Sequence, residues 1–212
     1  MFTITNIIVV MTAIISFMAF SNLKLKDNLI FAPTAVTHQN QWYRFFSCAL
    51  IHQDITHLVF NMFALYSFGN LVESSFSEVF GTKGTLLYIL LYVISQFLCL
   101  VPTYTKHKED YYYRSLGASG AVSAVIFAGI VLFPLAKVGM FFIPIGIPGF
   151  IFGFIYLGIT AYLDRKGGGN TNHSAHMFGA IAGIGLLLFF GFTMSPYNLV
   201  ENFLEQVKTF GR

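Results

Sequence analysis

The chain has 212 residues, 56% of them hydrophobic and only 10% charged, with a formal net charge of +3. Soluble domains carry about 25% charged residues, so this chain lacks the charge to cover a water-facing surface. The composition excludes an ordinary soluble enzyme, a disordered chain and a collagen-like fibre. The basic residues are scattered and form no stripe, so no nucleic-acid partner is expected. Cys48 and Cys99 sit in apolar surroundings. They make neither a disulfide framework nor a metal knuckle, and read as small hydrophobes.

A helix that spans a bilayer needs about 20 mainly apolar residues. The charge-free runs predict helices over about residues 2–20, 55–74, 84–104, 117–135, 143–163 and 175–192. Backbone in lipid must satisfy its own hydrogen bonds, and barrel strands would show alternating polarity, so these runs are helices. The first run has no Lys or Arg before it and no small-x-small site after it, so it reads as a span rather than a cleaved leader. Residues 23–54 are too polar to span and are interrupted by Pro33. With Trp42, Tyr43 and Arg44 as interfacial anchors, they read as a large loop lying on the membrane. Tyr111–Tyr113 read as part of the same aromatic belt. In the fifth run Pro144, Gly146, Pro148, Gly149 and Gly153 loosen the start of the helix, and Phe150, Phe152 and Phe154 can face lipid. Residues 201–212 form a short amphipathic tail. The expected architecture is an all-α polytopic membrane protein: six transmembrane helices in one domain over residues 1–212, with a large membrane-associated first loop.

Adjacent spans alternate in direction, so the second, fourth and sixth run parallel. Each carries polar residues near its N-terminal end: His57 and Asn61; Gly117-Ala118-Ser119-Gly120; and Asn172, His173 and His176. The odd-numbered spans hold no histidine. Ionisable residues within a membrane point to function. Gly120, Ala124 and Ala128 recur at four-residue spacing, as do Ala175, Gly179 and Gly183. Such small-residue ridges let two helix backbones approach closely. Ser119 precedes one ridge and His176 follows the start of the other, so packed ridges bring hydroxyl and imidazole together. Taken singly, each of these residues reads as packing; their convergence is what points to a site.

A serine hydroxyl becomes a nucleophile when a base takes its proton, and histidine is the commonest base. Ser119 also opens a helix, where unpaired backbone N–H groups favour a developing oxyanion. Gly117 and Gly120 permit close approach of a substrate backbone. His57 and Asn61 share one helix face and can donate to the same oxyanion. Asp54 and Asp164 are the only acids nearby, so a Ser–His dyad is expected in place of a triad.

These residues resemble the rhomboid intramembrane serine proteases. Gly117-Ala118-Ser119-Gly120 is similar to the family's GxSG motif. His57 and Asn61 are similar to its HxxxN element, with His52 at the spacing of a further family histidine. Ala175-His176-x-x-Gly179-x-x-x-Gly183 is similar to its AHxxGxxxG element. Gly69 and Glu73 resemble a GxxxE in which the Glu is structural, and Tyr43-Arg44 falls where the family often has Trp-Arg. Ser123, four residues after Ser119, departs from the aromatic often found there.

The resemblance implies a rhomboid-like bundle and a cofactor-free endopeptidase that cuts transmembrane segments of other membrane proteins. It implies Ser119 as nucleophile and His176 as base and acid, with His57, Asn61 and the Ser119 N–H at the oxyanion. Gly117, Phe150 and Phe154 are expected at the substrate path or gate, with helix five as the gate and lateral entry from lipid. No metal is expected. The expected setting is a bacterial inner membrane with the active side outward. Lys and Arg counts oppose that orientation. Lys83, Lys137, Lys208 and Arg212 fall inside, against Lys24, Lys26, Arg44, Lys106, Lys108, Arg114, Arg165 and Lys166 outside. The alternatives are an inactive rhomboid-like protein that binds client helices, and a metal or haem site built from His52, His57, His173 and His176.

Overall fold

A computed structural model describes residues 3–140, 143–167 and 172–210. Phe2 and Arg212, counted above, lie outside the described residues. The first long helix, α1 (Ile4–Ser21), is followed by short helices α2 (Leu23–Leu29), α3 (Pro33–Gln39) and α4 (Arg44–Ser47) and a 3-10 turn at Cys48–Leu50. Then come α5 (Ile55–Phe80), α6 (Gly84–His107), α7 (Ser119–Leu132), α8 (Gly149–Lys166), α9 (His173–Met194) and α10 (Leu199–Lys208). A β-hairpin of β1 (Lys137–Met140) and β2 (Ile143–Pro148) separates α7 from α8.

Among the described residues, three stretches are long and apolar enough to cross a membrane: Ile4–Ser21; Ile55–His107, which contains α5 and α6; and His173–Met194. The burial pattern is inside-out. The inward residues of α1 are Thr5, Thr12, Ser16 and Ala19, while Ile7, Val10, Met11, Ile14, Phe17 and Met18 face outward. Where the outer solvent is hydrocarbon, apolar side chains gain nothing by burial, and small or hydrogen-bonding ones take the helix contacts. The chain is an integral membrane protein.

Three expected boundaries move, two of them because of proline. The fourth helix was expected to reach residue 135; α7 stops at Leu132, and Phe133 before Pro134 has φ −135° and ψ 69°. A residue before proline is pushed out of the helical region. The fifth helix was expected from residue 143; residues 143–148 instead pair antiparallel with β1, Lys137 opposite Pro148 and Val138 opposite Ile147. Pro144 and Pro148 lack the N–H a helix needs and push the residues before them into extended backbone. The second helix runs on to Phe80, where Gly81 with φ 58° ends it.

Arg44 is not an interfacial anchor. It is buried, with Nη1 donating to the carbonyls of Asp27 and Ile30 at 2.8 and 2.6 Å and Nε to Gln41 Oε1 at 2.6 Å. Its charge holds the segment between α1 and α5 together. That segment is tied in turn to the backbone before α7. Phe31 and Ser115 exchange N–H···O bonds of 2.9 and 3.1 Å, and the Gly117 N–H donates to the Cys48 carbonyl at 2.9 Å. Cys48 and Cys99 are buried free thiols.

The central packing is α7 against α9. A methyl group on Gly179 would overlap the Gly120 carbonyl, and one on Gly183 would overlap that of Ala124. The contact pairs advance together along both helices, so α7 and α9 run parallel. Both N-termini therefore lie at the same end of the molecule.

Candidate active site

Ser119 is the first residue of α7 and His176 lies in the first turn of α9. Their side chains meet: Ser119 Oγ is 2.6 Å from His176 Nε2. The close crossing at Gly120 and Gly179 sets this distance. The α9 end is held from outside the pair by Asn172, whose Oδ1 accepts from the Ala175 N–H at 3.0 Å as a helix cap. Its Nδ2 donates to Thr103 Oγ1 at 3.0 Å and lies 3.4 Å from Ser115 Oγ, which joins α9 to α6 and to the backbone leading into Ser119. Among the described residues no carboxylate hydrogen-bonds the His176 ring, so the arrangement is a pair and not a triad.

The expected oxyanion groups lie on the same side. Gly117 has φ 112°, a conformation that favours glycine. A Cβ there would stand 2.8 Å from Cε1 and 3.0 Å from Nε2 of His57, so the missing side chain is what admits the His57 ring two residues before Ser119. Asn61 is buried one turn along α5, and Nδ2 spends one proton on the His57 carbonyl at 3.0 Å. The second proton remains available to a ligand. The Ser119 N–H lies in the first turn of α7, where no helical carbonyl is in register to accept it.

His52 is fully buried behind His57, with ring centroids 4.9 Å apart in an edge-on arrangement. Ser16 Oγ donates to the Leu50 carbonyl at 2.9 Å, so the His52 Nδ1–H donates to Ser16 at 3.0 Å. That fixes the tautomer. Burial, then the neighbouring His57, push the His52 pKa down to about 3, against a smaller opposing pull from Asp54.

A family model described as the Rhomboid domain matches residues 39–193. The chain belongs to the rhomboid family. It is 30% identical over 141 residues to RHOMBOID-like protein 12, mitochondrial, of Arabidopsis thaliana, covering 62% of this chain and 41% of that protein. It is 28% identical over 145 residues to rhomboid protease GluP of Bacillus subtilis, covering 68% of this chain and 25% of that one. It is 26% identical over 145 residues to the putative rhomboid protease YdcA of the same bacterium, covering 68% of this chain and 64% of that one. The aligned region thus spans less than two thirds of each of these relatives. Rhomboid relatives of this chain include named proteases, at identities that speak for the family. One relative is mitochondrial, so the comparisons support a membrane protein and do not assign a bacterial inner membrane.

Within this rhomboid fold the expected gate residues lie away from the Ser119–His176 pair. Phe150 is in the first turn of α8 and packs edge-on against Phe210 at 5.2 Å. Gly149 lies by Ile130 and Pro134, Gly153 by Phe127 and Ile130, and Tyr156 by Ser123, so α8 runs antiparallel to α7. Phe150 is therefore at the far end of α8 from Ser119. Phe154 is 75% exposed and points away from the bundle. The structure does not bring either to the pair: Phe150 lies at the wrong end of α8, and Phe154 turns outward as a lipid-facing side chain.

Sequence reasoning left three positioning roles unassigned. Asp54 caps α5, its Oδ1 accepting from the His57 N–H at 2.8 Å. Asn172 does the same for α9, and both signals were readable as a capping residue three positions before the acceptor's partner. Tyr156 carried no such signal.

Proposed function

We propose that this chain is an intramembrane serine endopeptidase that cleaves transmembrane segments of membrane proteins through Ser119 and His176. The observation that carries the reading is the 2.6 Å separation of Ser119 Oγ and His176 Nε2 at the joined N-termini of two parallel helices. His176 takes the hydroxyl proton as Ser119 attacks the scissile carbonyl. His57, Asn61 and the Ser119 N–H stabilise the oxyanion, and each such donor is worth about 2.7–4 kcal/mol in the transition state. His176 then gives its proton to the leaving amine. Water, activated by His176, hydrolyses the acyl-enzyme. No cofactor takes part.

In this reading the whole chain is one domain whose six longer helices, α1 and α5 to α9, all span. The segment from α2 to α4 lies on the membrane as a large first loop. Substrate enters sideways past α8, beside Gly117. The active side faces outward, with the N-terminus inside. Two of the outer charges that oppose this orientation serve the loop fold: Arg44 through the Asp27 and Ile30 carbonyls, and Arg114 Nη1 through those of Tyr111 and Tyr113. A reporter fused to the C-terminus tests the orientation. The decisive test of the function is cleavage of a model transmembrane substrate in vesicles by wild type, Ser119→Ala and His176→Ala. Labelling by a serine-reactive fluorophosphonate is read in parallel. Wild type should cleave and label while both variants do neither; equal cleavage by wild type and Ser119→Ala would end the assignment.

A further inference from the structure

Ser123 sits one turn beyond Ser119 on α7, about 6 Å further along the helix axis. It is buried, and its Oγ lies 2.8 Å from the phenol oxygen of Tyr156 on α8. Among the described residues this is the one side-chain hydrogen bond that joins α8 to another element. The rest of the α8 contact is small and apolar. Its buried residues are Gly149, Gly153 and Thr160, and the Tyr156 ring packs against Phe127 of α7 at 5.5 Å and, within α8 itself, beside Phe152 at 5.8 Å. The antiparallel register puts the next turn of α8, at Thr160, level with Ser119. The hydrogen bond therefore closes the α7–α8 seam directly beneath the nucleophile.

Separating two helices in lipid carries little hydrophobic cost, because acyl chains replace the apolar contacts. A hydroxyl–hydroxyl bond is different. Lipid offers neither group a partner, so opening the seam loses the bond outright. Phe127 exchanges its contact with the Tyr156 ring for lipid contacts, while the Tyr156 hydroxyl gives up a bond that lipid does not replace.

We propose that the Ser123–Tyr156 hydrogen bond is the latch of the α7–α8 seam, and that Tyr156 is a positioning residue controlling entry of a transmembrane substrate. This rests on the protease reading and on α8 as the moving wall. The latch uses the position at which Ser123 departs from the aromatic often found in the family; here the aromatic reaches that position from the neighbouring helix.

The test compares Ser123→Ala, Tyr156→Phe and the double variant, all of which keep the packing volume nearly intact. Each should raise kcat/KM for a transmembrane substrate in vesicles about threefold, and at most about twentyfold, the range of single hydrogen bonds between membrane helices. The double variant should gain no more than the larger single, because the same bond is removed once. The rate of fluorophosphonate labelling, whose probe reaches Ser119 from water, should stay within about twofold of wild type. Amide hydrogen exchange along α8 should rise in all three variants and stay unchanged along α5, a readout that needs no activity. Unchanged exchange on α8, a fall in cleavage with labelling intact, or gains that multiply in the double variant would each overturn the latch. A wild-type protein that shows α8 exchange rising in the variants, but neither cleaves nor labels, would overturn the protease reading and leave the latch as a packing device.

Discussion

Removing the Glu73 carboxylate should detach α1 from the bundle without touching the Ser119–His176 pair. Glu73 lies on α5 and is buried. Its Oε1 accepts from the Ile4 N–H at 2.8 Å, and its Oε2 accepts from the Thr5 N–H and the Thr5 hydroxyl, each at 2.8 Å. Thr5 spends its one proton there, so Tyr88 must donate to Thr5 Oγ1 across 2.7 Å. One carboxylate thus serves two unpaired donors at the α1 N-terminus and orders a hydroxyl chain to α6. In Glu73→Ala three donors lose a charged acceptor in a buried place. Hydrogen bonds to charged groups contribute about 1.5–3 kcal/mol each, and they are not additive, so the loss should be about 3–5 kcal/mol. At about 2–4 °C per kcal/mol for a chain of this size, the unfolding midpoint in detergent should fall by about 6–20 °C. Glu73→Gln keeps one acceptor oxygen and should lose about half as much. Gly69→Ala should reproduce part of the effect, because a methyl there would stand 2.7 Å from Thr5 Cγ2 and 2.8 Å from the Tyr88 oxygen. Fluorophosphonate labelling below the transition should remain within about twofold in all three. A midpoint shift under about 3 °C for Glu73→Ala would refute the reasoning.

Three further outcomes follow from the geometry. Gly179→Ala forces apart the α7–α9 crossing, since its methyl overlaps the Gly120 carbonyl; it should cost about 1–3 kcal/mol in unfolding and slow labelling of Ser119 more than tenfold. Asn172→Ala removes the α9 cap and its bond to Thr103, which should cost about 1–2 kcal/mol, while Asn172→Asp should restore the cap but not the donor to Thr103. His52 makes stability acid-sensitive. Its folded pKa near 3 lies below the ordinary 6.5, so the unfolded chain binds the proton first and stability falls as pH drops from 6.5 towards 3. The contribution lost at pH 5 is about 2 kcal/mol, and chemical unfolding of His52→Gln at pH 7 and pH 5 should show a smaller pH difference than wild type.

The bilayer made much of the fold legible and one part of it illegible. Lengths of charge-free sequence located the long helices because hydrocarbon sets a minimum span and forbids stray charge. The start of α8 was hidden because residues 143–148 are equally apolar as helix or strand; only the four-residue spacing of Pro144 and Pro148 decides for extended backbone. Arg44 misled in the opposite way. Its charge suggested water, but three oxygens supplied by Asp27, Ile30 and Gln41 let it be buried. The inward face of α8 was illegible in principle. In water, hydrophobicity tells which face of a helix turns inward; in lipid it does not, so Phe154 turns outward as a lipid-facing side chain was expected to, but nothing in the sequence singled out Tyr156 as the side chain that meets Ser123.

The Ser119–His176 pair was legible for a reason that also explains its position. Gly179 and Gly183 are placed where any side chain would strike the α7 backbone, and Gly120 where one would strike the Cys99 side chain of α6. The spacing that allows a close crossing therefore also fixes its register, and with parallel helices the register brings the two N-termini level. Ser119 precedes the first small residue of one ridge, and His176 follows the first of the other. Once Gly120 meets Ala175 and Gly179, the hydroxyl and the imidazole have no separate freedom to be apart. The polar ends of both helices then fall together at the one place where unpaired N–H groups are already present. Packing in lipid favours small residues and an oxyanion favours helix N-termini, so one crossing satisfies both demands.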